Sequence, residues 1–196
     1  SFSIRKEEVT ASINPTAKEM LGSLREWIYS QEKDTSVLSD FPRYVFGTSH
    51  SKLHITSPNT TVIQCGPGTM FSIGDPGSRT KHFQKISSAV QAIKPKKSVL
   101  IFEFGEIDIR NHIFRISKKK SQSIYEASSI SVNRYIEFVK TIHKKGFNVL
   151  IIGPHCGGGK NISRASAVER NDLCAYINDI LSLECQRNGF YFITLF

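Results

Sequence analysis

The sequence predicts a three-layer α/β/α domain built on a five-stranded parallel sheet in the flavodoxin-like order 2-1-3-4-5. Three observations lead there. Five short apolar, β-branched runs are spread along 196 residues; helical apolar patterns separate the later runs; and glycines and polar residues gather directly after the runs. The runs lack polar alternation, as strands covered on both faces should. Right-handed crossovers between parallel strands then set the helices against the sheet.

The elements follow in order. Residues 15–31 carry Ala17, Met20, Leu21, Leu24, Trp27 and Ile28 at three- and four-residue steps, which predicts a helix. Residues 1–40 are thus expected to form a helical extension packed on a domain spanning 41–196. Strands are expected at 44–46, 61–64, 99–104, 149–152 and 191–195. Phe83, Ile86, Ala89, Val90 and Ile93 form a second helical stripe, stopped by Pro95, which lacks the N–H needed to continue. A third helix is expected over about 123–145, with Ile130, Tyr135, Phe138, Val139 and Ile142 inward and Gly146 as its stop. A fourth covers about 165–188, carrying Val168, Leu173, Ile177, Ile180 and Leu181, and ends at Gly189.

Composition narrows the class. No run nears the roughly 20 apolar residues that span a bilayer, so no membrane span is expected. The first eight residues hold no apolar stretch of a secretory signal, which points to the cytoplasm. Lys and Arg exceed Asp and Glu by 26 to 17, a formal net charge of +9. The basic groups Lys94 with Lys96 and Lys97, Arg115 with Lys118 to Lys120, and Lys144 with Lys145 fall in turns or helix ends without interleaved aromatics. That pattern favours a solvated surface over a nucleic-acid stripe. Cys65, Cys156, Cys174 and Cys185 form no close metal-binding pair, so buried thiols are expected, with no structural zinc and no cofactor.

Ligands of open α/β sheets bind beyond the carboxyl ends of the strands, where loops and helix N-termini converge. After the first strand comes Gly47-Thr48-Ser49-His50-Ser51; after the second, Cys65-Gly66-Pro67-Gly68; after the third, Gly105-Glu106-Ile107-Asp108-Ile109-Arg110-Asn111-His112; after the fourth, Gly153-Pro154-His155-Cys156. A hydroxyl exposed on a sharp turn after Gly47 makes Ser49 the natural nucleophile, with a helix-cap or turn serine as the alternative. Gly68 lies across the switch point, where its amide and that of Ser49 could hold an acyl oxygen.

These blocks resemble the opening motifs of the SGNH, or GDSL, hydrolase superfamily, across residues 43 to about 195. Members with a Gly-Asp-Ser-His-Ser opening and a Gly-Glu-Ile-Asp block look most similar, some of them in capsule or surface-polysaccharide pathways. The resemblance implies Ser49 as nucleophile, the amides of Ser49 and Gly68 as oxyanion donors, and acyl esters as substrates, often O-acetyl groups on sugars. Thr48 stands where the family usually has aspartate, and Ile107 where an asparagine would donate to the oxyanion, so two amides must suffice. The family's base comes from an Asp-x-x-His block after the last strand, and the sequence ends at Phe196 within the strand expected there. The base is therefore expected either beyond Phe196 or from another histidine.

His112 is the preferred substitute, because Asp108 four residues earlier could share a helical face and orient it; a plain loop or cap pair is the alternative. His50, Glu106, Arg110 and His155 are expected to hold a polar substrate. His155 with Cys156 is a weak nucleophile pair, because adjacent side chains diverge. Gly157-Gly158-Gly159-Lys160 lacks phosphate-loop spacing. The expectation is an esterase or O-acyltransferase acting on an acylated carbohydrate or other small acyl ester. A non-catalytic module that holds a glycan or protein partner is the rival reading.

Overall fold

The computed structural model describes residues 38, 40–48, 51, 59–94, 98–155 and 165–194. The helix expected over 15–31, the two residues Ser49 and His50, and Cys156 with the glycine run after it lie outside the described residues. Five strands form one sheet: β1 (Arg43–Gly47), β2 (Thr60–Gln64), β3 (Val99–Glu103), β4 (Asn148–Ile152) and β5 (Tyr191–Ile193). Every pairing is parallel and the order is β2-β1-β3-β4-β5, as expected. Registers Gly47↔Glu103 and Glu103↔Ile152 bring the exits of three adjacent strands level. Central β3 is buried along its whole length, whereas edge strand β2 is half-exposed. The apolar run Val99 to Phe102 in β3 is what a strand covered on both faces requires.

Four α-helices are described: α1 (His82–Ala92), α2 (Ile113–Lys120), α3 (Ile124–His143) and α4 (Ala167–Asn188). Side chains from all four join Phe46, Leu100, Phe102, Val149, Ile151 and Phe192 in the larger core, on one sheet face. Val45, Val99, Ile101, Leu150 and Ile152 form a second cluster on the other face, with Leu38 and Phe41 packed there. Right-handed crossovers running from β2 toward β5 place α1, α3 and α4 on the same face. Among the described residues, the helical layer thus lies on that one side.

Helix ends follow local chemistry. Ser123 with Glu126 and Ser166 with Glu169 make reciprocal capping boxes at the starts of α3 and α4, satisfying amides that have no partner within the helix. Helix α4 is capped by Gly189 as expected, and α3 by Lys144, two residues before Gly146. One expectation of inward packing fails: Ile130 is exposed, as is Val168 in the first turn of α4. The buried stripe of α3 runs through Ala127, Ser131, Tyr135, Phe138 and Ile142, and Ile130 falls beside it. Helix α2, with the π-turn Asp108–His112 that leads into it, occupies a stretch expected to be loop. Its Lys118, Lys119 and Lys120 sit in the last turn, where cations complement the helix dipole.

Candidate active site

The exits of β1, β2, β3 and β4 carry the polar groups that the sequence singles out. At the exit of β1, Thr48 C=O accepts from Ser51 N–H at 3.3 Å and from Ser51 Oγ–H at 2.7 Å. Thr48 and Ser51 are buried and flank positions 49 and 50. A Cβ on Gly47 would lie 2.8 Å from Ser51 Cβ, so only glycine lets the strand end this close to the segment that follows.

Next to it, the loop after β2 is clamped at both ends. Buried His82, at the start of α1, lies with Nε2 3.0 Å from Pro67 C=O. A carbonyl only accepts, so Nε2 carries the proton; burial first, then Lys85, pulls the imidazole's pKa down and keeps it neutral. On the far side of Gly68, Met70 N–H donates to Asp108 Oδ2 at 2.8 Å. Gly68 itself is pressed against the His82 ring and Phe104, with 2.8 Å and 2.9 Å left for a Cβ. The loop is therefore fixed by a histidine from α1 and a carboxylate from the β3 exit. Sequence reading missed His82; its place at the first residue of α1, one loop beyond Gly68, is the only signal it offered.

Asp108 is wholly buried and its carboxyl is raised to about 7. Loss of solvent is the main cause; the amides of Met70, Phe71 and Asp108 oppose it and Glu106 adds to it. No hydrogen bond joins it to His112. The imidazole of His112 leans on Phe71, with centroids 5.3 Å apart, and its Nδ1 accepts from Arg115 Nη2 at 3.2 Å. Burial, and then the Arg115 charge, lowers its pKa to about 4. The π-turn spaces the two residues so that Asp108 turns to the β2 loop and His112 to α2. The expected mutual orientation of these side chains is not found, because each has a nearer partner.

Glu106 is buried and pairs with Arg110 across one turn at 3.4 Å. His155 is half-buried at the exit of β4. Thr48, Glu103, Phe104, Glu106, Pro154 and His155 line one small crevice. Of the expected substrate-holding residues, the structure therefore brings Glu106 and His155 together beside the β1 exit, with Arg110 behind Glu106; His50, like Ser49, lies outside the described residues. Glu103, the last residue of β3, joins them although its sequence position reads as plain strand. Cys65, Cys174 and Cys185 are buried free thiols. Among the described residues no group of His, Cys, Asp and Glu has metal-ligand geometry, and no helix is long and apolar enough to cross a membrane.

No family model and no curated protein matches the chain. Among solved structures it is similar to a gut microbial diltiazem-metabolizing enzyme, at 17% identity and a TM-score of 0.48 over 79% of this chain. The chain spans 37% of that enzyme's length. It is also similar to an extracellular lipase from Streptomyces rimosus, at 11% identity and a TM-score of 0.41, covering 79% of this chain and 80% of the lipase. The phospholipase A1 of Streptomyces albidoflavus NA297 gives 11% identity and 0.41, over 76% and 77% of the two chains.

Proposed function

We propose that the chain is a serine esterase of SGNH type, with Ser49 as nucleophile and the amides of Ser49 and Gly68 as oxyanion donors. The observation that carries this reading is the clamped Pro67-to-Met70 loop, held by His82 and Asp108 beside the β1 exit. Oxyanion stabilisation works through donors that need no reorganisation when charge develops, and a loop pinned on both sides meets that need. Parallel pairing of β1 with β2 sets Gly68 four residues past Gln64 and Ser49 two residues past Gly47, on adjacent exits. Ile107 offers no third donor, and loss of one donor costs about 10² to 10³ in rate, so turnover is expected to be slow. The substrate is an acyl ester, and the motif resemblance favours an O-acetylated carbohydrate. Water or a sugar hydroxyl then takes the acyl group.

Hydrolysis of p-nitrophenyl acetate and of an O-acetylated sugar by the intact chain and by Ser49→Ala tests the reading. Turnover that vanishes in Ser49→Ala supports it. Turnover that persists in Ser49→Ala refutes it, as does absence of turnover on both substrates from this chain and from a native chain that continues past Phe196; either result leaves the crevice as a binding site for a glycan or protein.

A further inference from the structure

A buried N–H without an acceptor is costly and rare, so one held open in a folded chain calls for a reason. Gly68 is buried, and its N–H finds no acceptor among the described residues. Its neighbours Gly66 and Thr69 are half-exposed, where water can serve their amides, and Pro67 has no N–H. We propose that His82 aims this amide: by holding the Pro67 carbonyl it turns the Gly68 N–H away from α1 and keeps it open for the oxygen of a bound acyl ester. The assignment rests on the serine-esterase reading above and makes His82 a positioning residue.

The geometry follows from the peptide bond. The Pro67–Gly68 peptide is trans, so its C=O and N–H point in opposite directions within one plane. His82 Nε2–H donates to Pro67 C=O at 3.0 Å, and the Gly68 N–H therefore points away from the imidazole. Turning the peptide over would set the Gly68 N–H against Nε2–H, donor to donor. The rest of the loop is held as well. Cys65 N–H donates to Gly47 C=O at 2.9 Å, tying the loop's start to the β1 exit, and Lys85 Nζ donates to Cys65 C=O at 3.4 Å. His82 and Lys85 stand three residues apart on one face of α1, so a single helix grips two carbonyls of the loop. Past Gly68, Asp108 Oδ2 accepts from Met70 N–H at 2.8 Å.

Packing alone does not explain an imidazole at this place. His82 is wholly buried, its Nδ1 bonds to no described residue, and burial, ahead of Lys85, disfavours its charged form. A hydrocarbon side chain would fill the space without burying an idle ring nitrogen. What the imidazole supplies, and a hydrocarbon cannot, is the N–H for Pro67. Because Pro67 is exposed, water can replace His82 at its carbonyl, but water does not hold the peptide in one plane. Removing the donor should therefore spare stability and harm the aim of the Gly68 amide.

The test compares His82→Leu, which keeps about the same volume and loses the donor, with His82→Gln, whose side-chain amide still donates to Pro67 C=O. Two quantities are read in the intact chain and both variants: kcat and KM for p-nitrophenyl acetate, and the amide NMR signal of Gly68, with urea unfolding as the check on folding. In His82→Leu, kcat is expected to fall about 10- to 100-fold, less than loss of a whole donor costs, with KM within about 3-fold and the Gly68 signal shifted or broadened. His82→Gln should return the Gly68 signal and bring kcat to within about 5-fold of the intact chain, a rescue that a merely space-filling role would not give. A folded His82→Leu chain with the Gly68 signal unmoved, or with kcat within about 3-fold, overturns the proposal. A His82→Gln chain no better than His82→Leu overturns it too. If His82→Leu does not fold, His82→Gln decides alone: a Gly68 signal and a kcat that hold support the assignment, and their loss in a folded chain refutes it. If no chain turns over while the Gly68 signal still moves in His82→Leu, the esterase reading fails and the aiming of the amide by His82 stands.

Discussion

Asp108→Asn should change how stability depends on pH, with an effect that is small in acid and grows as pH rises. Burial lifts the Asp108 carboxyl from the ordinary 3.8 to about 7. The folded chain therefore binds this proton more tightly than the unfolded chain, so the contribution to stability is whole below about pH 4. It declines as pH rises and is gone above about 7, where the group ionises in both states. At about 1.4 kcal/mol per pH unit over roughly three units, the loss is about 4 kcal/mol. Two histidines run the other way. Burial, ahead of Arg115, lowers His112 to about 4, and burial, ahead of Lys85, lowers His82; each favours the folded state above its unfolded value and loses that as pH falls. His112 is half-exposed, so solvent screening cuts its share. These opposing slopes hide Asp108 in the raw curve, but subtracting the variant from the wild type removes them. Asparagine keeps an acceptor for Met70 N–H and carries no charge. In urea unfolding at about pH 4, 6 and 8, the variant should gain on the wild type by up to about 4 kcal/mol as pH rises. A difference constant with pH to within about 0.5 kcal/mol would refute the reasoning.

Two further outcomes follow from the core and the clamped loop. The Tyr135 hydroxyl is wholly buried without a hydrogen-bond partner, so Tyr135→Phe should stabilise by about 1 kcal/mol, a rise of roughly 2 to 4 °C in thermal unfolding. A loss of similar size would mean that the hydroxyl has a partner. Gly68→Ala places a Cβ under 3 Å from His82 and Phe104, which should cost about 1 to 3 kcal/mol in chemical unfolding and lower esterase turnover together; unchanged stability and rate would sink the claim that this loop is held in place.

Strand order was legible because β3 and β4 are apolar without alternation and because each crossover is long enough for a helix. Helix α2 was not, since Ile113 is its one buried residue and eight residues give too few turns for a stripe to show. Ile130 misled for a related reason: apolar residues in a long helix are read as inward, while the small Ala127, Ser128 and Ser131 in fact face the core of α3 and let it pack closely. Neither failure touches the sheet, which fixes where the loops emerge.

The candidate site was legible in outline and not in its connections. Glycine and polar residues after each strand gather at one end of the sheet, because that position depends only on strand direction. Which side chains meet there depends on turns that sequence spacing misstates. Four residues between Asp108 and His112 suggest one helical face, yet the π-turn between them sends the carboxylate 38 residues back along the chain to Met70. Glu103 and Asn178 escaped notice because a carboxylate ending an apolar strand and an amide inside a helix look ordinary. Burial gives Asn178 its meaning: its amide cannot reach water and bonds to protein instead, and those bonds fall on the loop that carries His155. A catalytic reading of this fold thus depends less on its motif residues than on the buried polar groups that hold their loops.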